Sequence, residues 1–118
     1  MHKQVLIVDD SSMMRKLITK TLCSTGCDIV GEARNGYEAL EMYKELSPDL
    51  VTMDITMRGI DGFTAAQEIL QFDEQAKILF LSNLDDEKYR EMAADVGGIG
   101  MAKKHHTDEI KLLISKIE

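Results

Sequence analysis

The sequence is poor in cysteine, with two, and in proline, with one, and no apolar run approaches the ~20 residues of a membrane span. A disulfide framework is therefore not expected. Cys23 and Cys27 stand near a predicted helix end and read as small, semi-buried thiols of a reducing cytoplasm. A metal site built on them would need more ligands. Positive charge is also scarce: 14 Lys and Arg face 21 Asp and Glu, a net charge of -7. That balance argues against non-specific nucleic-acid binding and against anionic membrane surfaces. Met1-His2-Lys3-Gln4 leads straight into a strand pattern, so no signal peptide is visible and a cytoplasmic location is expected. Linkers, internal repeats and low-complexity stretches are missing as well. What is present is 118 residues with 44% hydrophobic and 30% charged, the size and composition of one soluble domain spanning 1–118.

Strand and helix patterns alternate along the whole chain, which predicts an α/β domain with a parallel sheet and helices on both faces. Strand one is expected at about Gln4–Asp9. Ser12 can cap a helix with Met14, Leu17, Ile18 and Leu22 on its apolar face, and Gly26 stops it. Strand two covers about Asp28–Glu32. Asn35-Gly36 opens a helix carrying Ala39, Leu40 and Tyr43, and Ser47-Pro48 punctuates before strand three, Leu50–Asp54. A loop with Gly59 and Gly62 leads to a helix with Ala66, Ile69 and Leu70. Strand four is read at Lys77–Leu81. A charged helix at about Asp86–Asp95 should turn Tyr89, Met92 and Val96 to the core. Strand five, about Ile99–Ala102, carries the weakest signal, because Gly97, Gly98 and Gly100 lower strand propensity. The last helix shows Ile110, Leu113, Ile114 and Ile117 at helical spacing. Five βα units with right-handed crossovers make a doubly wound (βα)5 sheet.

The informative residues lie where the strands end. Asp9-Asp10 closes the apolar run Val5-Leu6-Ile7-Val8, and Asp54 closes Leu50-Val51-Thr52-Met53. If those strands are neighbours, three carboxylates converge at the sheet edge where open α/β folds bind ligands. Each like-charge pair at about 4 Å would cost roughly 4 kcal/mol at an effective dielectric near 20. Such a cluster calls for a counterion, and all-oxygen ligation points to a hard divalent cation, Mg²⁺ above all. Strands four and five end at Ser82 and Lys104. A carboxylate nucleophile, a metal-binding acidic pair, a hydroxyl and an amine form a phosphoryl-transfer set. Asp54 would attack phosphorus, Mg²⁺ on Asp10 and Asp54 would neutralise the incoming charge, and Lys104 and Ser82 would hold phosphoryl oxygens. Lys103 is the alternative to Lys104. The plain reading of Asp9-Asp10 is a solvated surface pair unrelated to Asp54.

At these residues the chain resembles a two-component response-regulator receiver domain, over its whole length. Leu6-Ile7-Val8-Asp9-Asp10-Ser11, Pro48-Asp49-Leu50-Val51-Thr52-Met53-Asp54, Asn35-Gly36 and Asp61-Gly62 are similar to that family's signatures, and the intervals linking Asp10, Asp54, Ser82 and Lys104 suit it. The stretch Val51-Thr52-Met53-Asp54-Ile55-Thr56-Met57 looks most like stand-alone, CheY-like chemotaxis regulators. The resemblance implies the flavodoxin-like architecture. It implies that Asp54 accepts phosphoryl from a histidine kinase, and that Mg²⁺ is ligated by Asp10, Asp54 and the backbone carbonyl of Thr56, with Asp9 helping through water. It implies an output partner on the face of helix four, strand five and helix five, where the charged run Asp85-Asp86-Glu87-Lys88 also lies. Thr56 and Leu84 would flank the route of attacking water. Neither positions water well, so at most slow autodephosphorylation is expected and the chain is not read as an enzyme.

Four positions depart from the family pattern: Arg58, Asn83, Met101 and His105 stand where proline, a small residue, an aromatic and proline are usual. The chemical positions are kept, so ordinary phosphorylation with an unusual switch surface is expected. A trans bond is expected before His105, since a cis non-proline bond costs about 2.5–4 kcal/mol. Arg58 reads as a solvated loop residue, Met13-Met14 as helix packing, and His105-His106 as no metal tract. An aspartyl-phosphate phosphatase of the haloacid-dehalogenase type would need an acid where Thr56 stands. A flavin-binding flavodoxin would not open its first loop with two acids. With no output region after Glu118, the signal should pass by protein contact. An intermediate phosphorelay receiver, or the isolated receiver of a larger regulator, is the alternative.

Overall fold

The computed structural model describes residues 3–83 and 87–117. Ten elements alternate: β1 (Gln4–Val8), α1 (Ser12–Cys23), β2 (Asp28–Ala33), α2 (Gly36–Leu46), β3 (Leu50–Asp54), α3 (Gly62–Phe72), β4 (Ile78–Ser82), α4 (Glu87–Asp95), β5 (Gly100–Lys103) and α5 (Thr107–Ser115). All strand pairs are parallel, and the order is β2-β1-β3-β4-β5. This is the five-stranded, doubly wound flavodoxin-like sheet expected from the sequence. The chain reverses winding direction after β2, which leaves a crevice at the carboxyl ends of β1 and β3.

Strand alternation divides the core in two. Leu6, Val8, Val51, Met53, Ile78, Phe80 and Met101 pack together with Ala39 and Tyr43 of α2, residues of α3, and Ala93 of α4. Val5, Ile7, Leu50, Leu79, Leu81 and Ala102 point the other way, onto Ile18 and Leu22 of α1 and Ile110 and Ile114 of α5. The central strands β3 and β4 are buried along their whole length, as continuous apolar runs between two helical layers require.

Several boundaries differ from the sequence reading. The cap of α1 is Ser11, not Ser12: the Ser11 hydroxyl accepts the Met14 N–H at 3.3 Å. β1 ends at Val8, so Asp9 lies just beyond the ladder, while β4 and β5 each begin and end one residue later than expected. Met92 is not a core residue; it is 36% exposed, and Ala93 is the buried side chain of α4, with Tyr89 and Val96 packed partly against the core. The expected start of that helix at Asp86, and the residues Leu84 and Asp85, lie outside the described residues. The helix expected to open at Asn35-Gly36 is capped by Asn35, whose side chain accepts the Glu38 N–H, and Asp61 caps α3 by accepting the Thr64 N–H. Among the described residues every peptide bond is trans, including that before His105. No helix among them is long and apolar enough to cross a membrane.

Candidate functional site: an acidic pocket closed by a lysine

Register brings the site together. Val8 of β1 is paired with Met53 of β3, so Asp9 and Asp54 leave adjacent strands at the same level. Asp54 is paired with Leu81, and Ser82 with Lys103. The period of two sends Asp9, Asp54 and Lys104 to the α1/α5 side, following Ile7, Leu50 and Ala102. Ser82 follows Phe80 and belongs to the other side; it is buried, and its carbonyl accepts the Lys104 N–H at 2.9 Å.

Lys104 Nζ lies 2.9 Å from Asp54 Oδ1 and 2.9 Å from Asp9 Oδ2, and all three side chains are at most 4% exposed. Lys104, not the half-buried Lys103, is therefore the lysine of the site. Asp9, Asp10 and Asp54 each offer a carboxylate oxygen, all within 4.8 Å of one another, and Asp10 alone is exposed. Asp9 Oδ1 accepts the Ser11 N–H at 2.9 Å, which commits that oxygen to the loop. Asp9 Oδ2 faces Lys104 without a well-directed hydrogen bond, and Asp54 Oδ2 is buried with no partner. A buried carboxylate oxygen left unpaired is costly in water-excluded surroundings. The orphaned oxygen and the all-oxygen donor set fit a hard divalent cation held by Asp10 and Asp54.

Electrostatics follow from that crowding. Burial raises the Asp54 carboxyl to about 6; Lys104 pulls it down, and Asp9 and Asp10 push it further up. Burial works against the Lys104 charge, but the close carboxylates of Asp54 and Asp9 win and hold its pKa above the ordinary lysine value. The metal-free pocket is thus short of positive charge even with its lysine in place.

Thr56 reaches the site through its backbone: its N–H donates to Asp54 Oδ1 at 3.2 Å. Arg58, Asn83 and His105 are exposed, whereas Met101 is buried and its carbonyl accepts Arg90 Nη1 at 3.2 Å. His106 Nδ1 lies 3.4 Å from Glu109 Oε2. Cys23 and Cys27 are free thiols, the first exposed and the second buried. The sequence reading missed Arg15, whose Nη1 donates to the Asp9 carbonyl at 2.8 Å. Nothing in the sequence pattern separates Arg15 from Lys16 beside it. It also missed the buried Thr52 hydroxyl, which has no hydrogen-bond partner.

Fold and site together define an open α/β domain with an acidic, lysine-closed pocket at the carboxyl edge of its sheet. The chain belongs to the response regulator receiver domain family, whose model matches residues 5–115. It is similar to the chemotaxis protein CheY of Bacillus subtilis, 54% identical over 82 residues, covering 70% of this chain and 68% of that protein. It is also similar to CheY of Halobacterium salinarum, 45% identical over 104 residues, covering 88% and 86%. Among solved structures it superimposes on a chain of the CheX-CheY-BeF3-Mg+2 complex from Borrelia burgdorferi with a TM-score of 0.92 and 31% identity, covering 98% of this chain and 88% of that one.

Proposed function

We propose that the protein is a phosphorylation-controlled switch of a two-component system. Asp54 accepts a phosphoryl group from the phosphohistidine of a histidine kinase: a P–O bond forms at Asp54 as the P–N bond breaks. The observation that carries this reading is the Asp54 carboxylate itself, with Oδ1 held by Lys104 and Thr56 and Oδ2 buried and unpartnered. One oxygen is fixed while the other is left for chemistry. Asp10, Asp54 and the Thr56 carbonyl would hold Mg²⁺, with Asp9 acting through water, and the ion supplies charge neutralisation at the transferring group. Lys104 would stabilise a phosphoryl oxygen, and Ser82, buried at the carboxyl end of β4 beside β3, would donate to another.

The output is a protein contact on the α4–β5–α5 face, without nucleic acid or membrane. The relationship to CheY proteins favours chemotaxis, and a cytoplasmic location follows from that role. The Borrelia relative is seen with CheX, BeF3 and Mg²⁺, which is the kind of assembly this reading expects. The domain is a phosphoacceptor with slow self-dephosphorylation rather than a metabolic enzyme.

The test is intact mass after incubation with a small phosphodonor and Mg²⁺, beside Asp54→Ala and a chelator control. Gain of one phosphoryl group, absent from both controls, is expected. No gain from a small donor or from a histidine kinase would overturn the reading.

A further inference from the structure

Asp10 is the exposed member of the acidic trio, so the placement of its backbone sets where its carboxylate can reach. The peptide that joins it to Asp9, and the chain on either side of that peptide, are held at several points. The Asp9 N–H donates to the Ala33 carbonyl at 3.0 Å, and Asp9 Oδ1 accepts the Ser11 N–H. The Asp9 carbonyl, which belongs to the same peptide plane as the Asp10 N–H, accepts Arg15 Nη1 at 2.8 Å. Arg15 is itself fixed: its Nε donates to Glu32 Oε1 at 3.0 Å, and its side chain is 13% exposed. The planar guanidinium therefore spans from β2 to the β1–α1 turn with two differently directed hydrogen bonds, which a lysine cannot copy.

We propose that Arg15, braced by Glu32, is a positioning residue for the metal site, fixing the Asp9–Asp10 peptide so that the Asp10 carboxylate meets Asp54 at a common ion. This rests on the Mg²⁺ reading above. Glu32 gives the brace a second task. An unpaired guanidinium beside the pocket would repel a divalent cation; the ion pair offers the geometry without the net charge. Outer hydrogen-bond partners of metal ligands commonly change affinity about 10–100-fold when removed.

Two origins of any effect predict opposite signs. If Arg15 mattered only as a nearby cation, removing it would tighten Mg²⁺ binding. If it positions Asp10, removing it weakens binding. Mg²⁺ affinity is therefore measured by NMR titration and calorimetry at pH 7.5 and fixed ionic strength, on wild type, Arg15→Met and Arg15→Lys. The same spectra and urea unfolding in chelator report whether each variant is folded.

The expected result is a Kd about tenfold weaker for Arg15→Met. A smaller loss, about threefold, is expected for Arg15→Lys, which keeps the charge and loses the fork. A Kd within twofold of wild type, or a tighter one, in folded Arg15→Met overturns the proposal. Should that variant not fold, Arg15→Lys decides: an unchanged Kd there overturns it equally. Wild-type protein that binds no Mg²⁺ would overturn the metal reading itself, an outcome distinct from variants that match a wild type that does bind.

Discussion

Lys104 Nζ sits 2.9 Å from Asp54 Oδ1, a charge pair buried on both sides at the carboxyl edge of the sheet. Removing one member of a buried pair leaves the other without compensation, which costs about 3–5 kcal/mol in well-buried cases. Here Lys104 also serves Asp9, so Lys104→Met would strand two buried carboxylates beside Asp10. In chelator at pH 7.5 this variant should lose roughly 3 kcal/mol of stability by urea unfolding. Mg²⁺ should restore part of the loss, because it supplies the missing positive charge. A urea midpoint equal to wild type in chelator would show that the lysine is not a structural counterion.

The raised Asp54 carboxyl makes a pH prediction with a definite sign. Its folded value of about 6 exceeds the ordinary aspartate value of 3.8, so the folded state holds the proton more tightly. The associated stability is fully present below about pH 4 and is lost as pH rises through about 6. After allowance for solvent at the pocket mouth, the change is about 1–2 kcal/mol. Metal-free wild-type protein should therefore lose stability across that window. Asp54→Asn should lack this component and be more stable than wild type at pH 7.5 by a similar amount. The comparison is urea unfolding of both proteins in chelator from pH 4 to 8. Coincident curves would contradict the burial-driven shift.

The fold was legible in the sequence because both sheet faces are covered. Mostly apolar, fully buried strands such as Leu50–Asp54 and Ile78–Ser82 alternate with helices whose apolar residues recur at helical spacing. The acids and the lysine were legible because they stand at strand ends, where periodicity stops and chemistry begins. What was not legible depends on single-residue register or on backbone groups. Met92 and Ala93 are neighbours on a mostly polar helix, and only packing decides that Ala93 turns inward. Part of the glycine run that blurred the approach to β5 has a packing reason at Gly98, where a Cβ would lie 2.6 Å from the Phe80 ring. That glycine admits the largest fully buried side chain of the core. Arg15 was missed because it acts on a carbonyl, and a carbonyl leaves no mark in sequence.

Metal affinity should follow the ionisation of Asp54. A carboxylate must be deprotonated to ligate, so protons compete with Mg²⁺. With Asp54 titrating near 6, affinity should fall about tenfold for each pH unit below that point and level off above it as far as this group is concerned. Calorimetric titrations from pH 5 to 8 test this, with proton release expected near pH 6. An affinity constant across that range would mean that Asp54 does not join the metal in its ionised form.

Gly62 shows how tightly the phosphoacceptor strand is bounded. Its N–H donates to the Ile55 carbonyl at 2.9 Å, pulling the start of α3 onto the end of β3. A Cβ at this position would run into the Asp54 carbonyl oxygen and come within 2.9 Å of Ile55 Cα, all backbone atoms with no rotamer to yield. Gly62→Ala should therefore force the β3–α3 turn away from the sheet and destabilise by about 2–3 kcal/mol, at the upper end of overpacking costs. Because the displaced atoms include the Asp54 backbone, Mg²⁺ affinity and phosphoryl labelling should fall beyond what the unfolded fraction explains. Gly26→Ala makes the contrast: a Cβ there meets nothing within 4 Å, and its cost comes from a positive φ far from the pocket. That variant should lose stability while the Mg²⁺ affinity of its folded form stays at the wild-type value. Equal effects of the two substitutions on Mg²⁺ affinity would mean that Gly62 matters for folding alone.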